Sequence, residues 1–317
     1  MVLNEFGKPN LKAKWNKIFG RHNQSLILRL GDNVGNIRLS IHPLKQIRPH
    51  EEVIPDLLKT LKEDMRRTGY QRDPLIVDAR TLVALDGMHR LAALRALGAK
   101  FAMCADCDYL SDSVKLERWL RYVIAPSRGF VKRTVKEFKM EQCSNFREAI
   151  SLVESRRSRI ALLSSRESYV QRLANKGTDD CCVASSIFSA YQQIKKFDKL
   201  CTKYNLQIRF ASANEERRIF SSESVYLLYP LPISKVDVLS AAKSSKVFPF
   251  KTTRHTVPVR PMGVYFPIKA LKSSTREDCI KALREIIKLS KVEISSRNLW
   301  YEGRQYGEPL AIFRKRV

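Results

Sequence analysis

The stretch Leu82–Gly98, LVALDGMHRLAALRALG, constrains this chain more than any other. A short apolar run stops at Asp86-Gly87, a pair that favours a turn. The run His89–Leu97 follows, rich in Ala and Leu, the strongest helix formers, and Gly98 closes it. The order is strand, sharp turn, helix. A helix entered this way leaves its first backbone N–H groups without partners inside the helix, and those groups make a ready anion site. His89 and Arg90 add donors at the same place, and the planar guanidinium of Arg90 suits a phosphate. Asp86 would hold a Mg²⁺ there, because hard cations take carboxylate and phosphate oxygens together. The plainer reading is a capped helix with surface charges. Asp-Gly-x-His-Arg between a strand and an Ala/Leu helix is more specific than a DG turn alone, and it favours function.

The flanks extend this stretch into an α/β unit. A basic leader, 1–38, holds one expected strand at Ser25–Leu30. Residues 39–46 read as a strand and connection. Pro49 and Pro55 discourage a helix through Ile47–Pro55. Leu57, Leu58, Leu61 and Met65 then recur at helical spacing, and Gly69 ends that helix. Pro74–Asp78, Leu82–Leu85 and Phe101–Tyr109 read as strands. The expected α/β unit spans 39–110. A largely helical middle is expected over 111–220, with helices at 114–121, 134–140, 145–155, 166–175 and 184–204. A mixed α/β lobe, 221–317, follows, with strands at Val225–Leu231 and Val264–Ile268. It also holds a helix at Thr275–Ser290 and a hairpin around Glu302-Gly303-Arg304 or Tyr306-Gly307. The fold class expected is α/β (α+β), without internal repeats.

Two further clusters carry candidate chemistry. In Pro49-His50-Glu51-Glu52, a histidine beside two carboxylates between prolines suits acid–base work. Alone, it reads first as a helix start where carboxylates favour the dipole. Lys251-Thr252-Thr253-Arg254-His255, after Phe248-Pro249-Phe250, offers consecutive donors for a phosphate or carboxylate; an exposed alternating strand has the same pattern. Cys104-x-x-Cys107 has no second metal-binding pair near it, so inert thiols are expected there and at Cys181-Cys182.

The chain carries 58 Lys+Arg against 32 Asp+Glu, a formal charge of +26. That excess suits polyanions or anionic small molecules. It is spread along the chain without an aromatic-interleaved basic tract, so a solvated surface is the first reading. No apolar run is long enough to span a bilayer, and the basic N-terminus has no signal-peptide core, so a cytoplasmic protein without membrane association is expected. The seven cysteines are an odd number and fit reduced thiols. No GxxxxGK[ST] loop and no HExxH is present.

Taken together, IRPHE, PLIVD, LDGMHRLAALRALG and the strand ending in Asp108-Tyr109 resemble the ParB/sulfiredoxin-like family. Within it the chain looks most like the free L-serine kinases, and FPFKTTRH with VPVRPMGV looks like their C-terminal signature. The match covers Ile47–Tyr109 at the front and Phe248–Val264 at the back. The resemblance implies phosphoryl transfer from ATP or ADP, with Mg²⁺, to the hydroxyl of free L-serine. The product is O-phospho-L-serine, used in some members for cysteine biosynthesis. It implies that Glu51 takes the serine proton, with Glu52 as rival. It places Asp86, Gly87, Met88, His89 and Arg90 on the nucleotide phosphates. It places His50, Lys251, Thr252, Thr253, Arg254 and His255 on serine or the transferred phosphate. Sulfiredoxin chemistry needs a cysteine where Met88 stands. A nuclease would need a further acidic metal cluster. A ParB-like nucleotide-dependent DNA-binding protein is the alternative that the charge keeps open.

Overall fold

A computed structural model describes residues 16–18, 25–29, 36–172, 180–212, 219 and 224–315. The chain divides into two compact units that interleave in sequence. One contains residues 1–49, 53–115 and 255–317; the other contains 50–52 and 116–254.

In the first unit, β1 (Asn16–Ile18), β2 (Ser25–Arg29) and β3 (Asn36–Pro43) are antiparallel neighbours. The leader therefore feeds the sheet. Helix α1 (Pro55–Thr68) starts with its proline in the first turn, where a missing N–H costs nothing, and stops at Gly69 with φ +78°. The short β4 (Tyr70–Gln71) leads to β5 (Leu75–Asp78), β6 (Ala84–Asp86), α2 (Met88–Ala96) and β7 (Phe101–Cys107). The sheet order is β1-β2-β3-β7-β5-β6, with β5 and β7 parallel. Every residue of β5 is buried, as a central strand covered on both faces requires. Leu39, Ile41, Leu75, Val77, Ala84, Leu94 and Met103 form its core.

The second unit is built on antiparallel strands where helices were expected. Its elements are β8 (Lys115–Ile124), α3 (Arg128–Glu137), β9 (Glu141–Cys143), α4 (Phe146–Glu154), β10 (Ser158–Leu163) and β11 (Ser168–Arg172). Then come α5 (Asp180–Lys203), β12 (Arg209–Ser212), β13 (Val225–Pro230), α6 (Lys235–Lys243) and β14 (Thr253–Thr256). The chain passes back into the first unit within β14. The sheet runs β12-β8-β13-β10-β11-β9, with β14 also on β8. Two helices expected in the middle are corrected, since 114–121 falls on β8 and 166–175 on β11, while α4 and α5 lie where helices were expected. Trp119, Tyr122, Val123 and Ile124 are strand formers, but two arginines, Arg118 and Arg121, occupy buried positions and disguise the alternation. Along α5, Ile187, Ala190, Tyr191, Ile194, Phe197 and Cys201 bury one helical stripe. Asn145 and Ser234 cap α4 and α6, and Ser234 N–H donates in return to the Asp237 carboxylate.

The return to the first unit adds β15 (Arg260–Met262), β16 (Phe266–Pro267), α7 (Ile268–Ser273), α8 (Arg276–Lys288) and β17 (Ser290–Ile294). The chain ends with β18 (Leu299–Tyr301), β19 (Arg304–Tyr306) and β20 (Leu310–Lys315). Strand β20 lies between β15 and β17, and β16 pairs with β4. The expected hairpin is β18–β19, turning through Glu302 and Gly303, both at positive φ. No helix among the described residues is long and apolar enough to cross a membrane.

Candidate active site

In the first unit the site grows from one glycine. Gly87 has φ +94° and stands before α2 as its N-cap without a side-chain cap. The first helical bond runs from Leu91 N–H to Gly87 O, so the turn at Gly87 opens directly into the helix. A Cβ at Gly87 would meet Leu75 Cδ2 at 2.8 Å and the Arg90 guanidinium at 3.0 Å. The turn is therefore closed against Arg90. Arg90 reaches Asp86 Oδ2 at 3.4 Å and Asp73 Oδ2 at 3.3 Å. The buried Arg260 donates to the same Asp86 Oδ2 at 2.6 Å, to Glu308 Oε1 at 2.6 Å and to the His255 carbonyl at 3.1 Å. Burial alone would raise the Asp86 carboxyl; Arg260 and Arg90, with Arg304, outweigh it and hold the group well below the usual carboxylate range. Asp86 is a permanent anion in a ring of cations.

His89 does not contribute a positive charge here. Its Nε2 accepts the Ile54 N–H at 3.0 Å, and burial lowers its pKa. The neutral ring carries its proton on Nδ1. The Met88 side chain is buried in the core, so only its backbone belongs to the turn.

In the second unit the site grows from an acidic side chain held by backbone. Glu51 pairs with Phe248 as an isolated parallel bridge, and Phe248 N–H donates to the His50 carbonyl at 2.8 Å. Glu51 Oε1 accepts the Thr252 N–H at 3.1 Å, the Thr253 N–H at 2.6 Å and the Thr253 hydroxyl at 2.5 Å. Its other oxygen, Oε2, takes no hydrogen bond from the described residues. The buried His50 lies 2.8 Å through Nε2 from Thr253 Oγ1. Since that hydroxyl gives its only proton to Glu51, His50 Nε2 is the donor, and the three groups form a chain ending on the carboxylate. Glu52 points elsewhere and forms an ion pair with Lys195 on α5.

The KTTRH residues are divided between the two units, and each has its own partners. Thr252 Oγ1 is buried against the Pro249 carbonyl at 2.7 Å. Lys251 places its ammonium 4.7 Å from the ring centres of Trp119 and Phe210, and Arg254 stacks 5.2 Å from Trp119. His255 belongs to the first unit, where Nε2 meets the buried Tyr109 hydroxyl at 2.8 Å. The sequence reading missed Asp73, Arg260 and Glu308. Arg260 stands inside VPVRPMGV, so that motif held the signal. Among the described residues no group of three or more His, Cys, Asp or Glu side chains could hold a metal ion. Cys104 and Cys107 instead donate to the Ala102 and Val77 carbonyls, and both are free thiols.

No family model matches the chain. It is 27% identical over 237 residues to the "ATP-dependent L-serine kinase" of Staphylothermus marinus, covering 72% of this chain and 88% of that one. It is 23% identical over 224 residues to the "ADP-dependent L-serine kinase SerK" of Thermococcus kodakarensis, covering 69% and 86%. A "ParB-like protein" of Sulfolobus acidocaldarius is 37% identical over 93 residues, 29% of this chain and 46% of that one. Among solved structures, "Free serine kinase in complex with AMP" superposes with a TM-score of 0.60 at 21% identity, covering 83% of this chain and 98% of the other. The resemblance carried by the two motifs is thereby borne out: over most of its length the chain is similar to L-serine kinases, and it has the fold of the free serine kinase.

Proposed function

We propose that this protein is a free L-serine kinase, transferring a phosphoryl group from ATP or ADP to the serine hydroxyl to give O-phospho-L-serine. The observation that carries the reading is Glu51. Its Oε1 is immobilised by three donors from the second signature motif, and its Oε2 remains to accept a proton. A positioned carboxylate of this kind is what a serine hydroxyl needs to become a nucleophile. The N-terminus of α2 and the Arg90 guanidinium would take the nucleotide phosphates.

Mg²⁺ belongs to the same proposal. Arg260 and Arg90 both bond Asp86 Oδ2, so Asp86 would offer its Oδ1 to the ion. When bound, the ion would neutralise charge on the phosphoryl group in transfer. Lys251 and Arg254, held beside Trp119, supply the cationic donors of the second motif. We place the enzyme in the cytoplasm.

The test is ³¹P NMR of the purified protein with L-serine and Mg²⁺, in parallel tubes with ATP or ADP. A phosphomonoester signal at the position of O-phosphoserine is expected, and the tube that yields it names the donor. Silence in both tubes, beside an active control enzyme, would overturn the reading. The ParB-like relative and the charge of +26 support the second reading, a nucleotide-dependent DNA binder. It predicts salt-sensitive retention on DNA and no serine-dependent turnover.

A further inference from the structure

We propose that Arg121, anchored by Asp198, is the positioning residue that fixes the backbone holding Glu51. The proposal rests on Glu51 acting as the base. Arg121 projects from β8 and is 2% exposed. Its Nε donates to Asp198 on α5, at 2.9 Å to Oδ1 and 3.2 Å to Oδ2. Its Nη1 donates to the Lys251 carbonyl at 3.2 Å, and its Nη2 to the Phe250 carbonyl at 2.5 Å. One guanidinium therefore grips two successive peptide carbonyls of the signature loop.

The grip reaches Glu51 through a rigid plate. The Lys251 carbonyl and the Thr252 N–H belong to the same planar trans peptide, so they point in opposite directions. With the oxygen held by Arg121, the N–H is directed away from it, and it donates to Glu51 Oε1 at 3.1 Å. The adjacent Thr253 N–H donates to the same oxygen at 2.6 Å. Lys251 itself has φ +52°, the left-handed region, which a residue with a Cβ keeps only where its surroundings impose it. The two carbonyls on either side of its Cα are the ones Arg121 binds. Strand β8 adds one more tie, from Trp119 N–H to the Thr252 carbonyl at 3.1 Å.

An ion pair with a buried arginine and a half-buried aspartate is a weak source of stability by itself, because desolvation opposes it. A guanidinium forked across two carbonyls is better explained by the conformation it imposes. Lysine cannot reproduce that fork, having one compact charged end.

The test uses full-length Arg121→Lys and Asp198→Ala, the second keeping Arg121 itself in case the first does not fold. Nucleotide KM and the thermal midpoint report folding. Selectively ¹⁵N-threonine-labelled protein reports the Thr252 and Thr253 amides, which Glu51→Gln identifies by their loss of downfield position. In folded variants, kcat is expected to fall about tenfold or more while nucleotide KM holds, the response to a base displaced by an ångström or less. Both amide signals should move towards their positions in Glu51→Gln. A folded variant with wild-type kcat, or with unmoved amide signals, overturns the proposal. Absence of phosphoserine formation by the unmodified protein would overturn the kinase reading instead, while the amide signals would still report whether Arg121 orders the loop.

Discussion

Glu51 and Glu52 are neighbours in sequence and have different partners in the fold. Three donors from one loop hold Glu51, whereas Glu52 pairs with Lys195 on a helix. Replacing Glu51 by Gln should leave nucleotide binding intact and lower turnover by about a hundredfold or more, while Glu52→Gln should keep most of it. Steady-state kinetics on the pair checks this. The residues of this site were legible as a cluster, but their division of labour was not. Adjacent carboxylates look alike in one dimension, and only the bridge to Phe248 sets which one faces the signature loop. His89 shows the same limit. Read from sequence it is a cationic donor; in the fold it is a neutral acceptor for Ile54, with its pKa lowered by burial. Its contribution to stability is therefore complete above the ordinary histidine value of 6.5 and drains as pH falls through that value towards the lower folded one. Urea midpoints should fall from about pH 7.5 to about pH 5.5, and His89→Gln should flatten part of that slope.

Helix α2 depends on its first residue's conformation more than on its composition. Gly87 is left-handed and its missing Cβ leaves room for Leu75 and the Arg90 guanidinium. Gly87→Ala should cost about 1–3 kcal/mol in chemical denaturation and raise the nucleotide KM, because Arg90 must shift with the clash. Helices α1, α2 and α8 were readable because proline, glycine or a cap residue marks their ends. Strands β8 and β11 were not. In β8, Leu116 and Leu120 sit at helical spacing, and the buried Arg118 and Arg121, on opposite faces, remove the alternation that marks a strand. Those arginines pair with groups distant in sequence: Glu154 for one, Asp198 and two loop carbonyls for the other. No local pattern reveals such partners.

At the scale of the molecule, the first unit is completed by its last segment. A chain stopped after Arg254 lacks Arg260 on Asp86 and β16 on β4, so it should lose nucleotide binding, which calorimetry with ADP would show. Burial pushes the Cys201 thiol up to about 12 and Cys279 to about 11, and it raises Cys104 as well. Alkylation of these three at neutral pH should be slow in the folded protein and fast in urea, as mass spectrometry would record. The sequence order of segments hides how the units are assembled. The chain changes unit at 49/50, 52/53, 115/116 and 254/255, and Glu51 rides in a visit of three residues. The second motif is itself cut between Arg254 and His255. Inheritance is constrained accordingly. No single crossover in a gene can exchange one unit and leave the other whole, and the candidate base can be transplanted only by a codon-scale event. Lineages sharing this architecture would diversify by point substitution in place, with little traffic of modules between them.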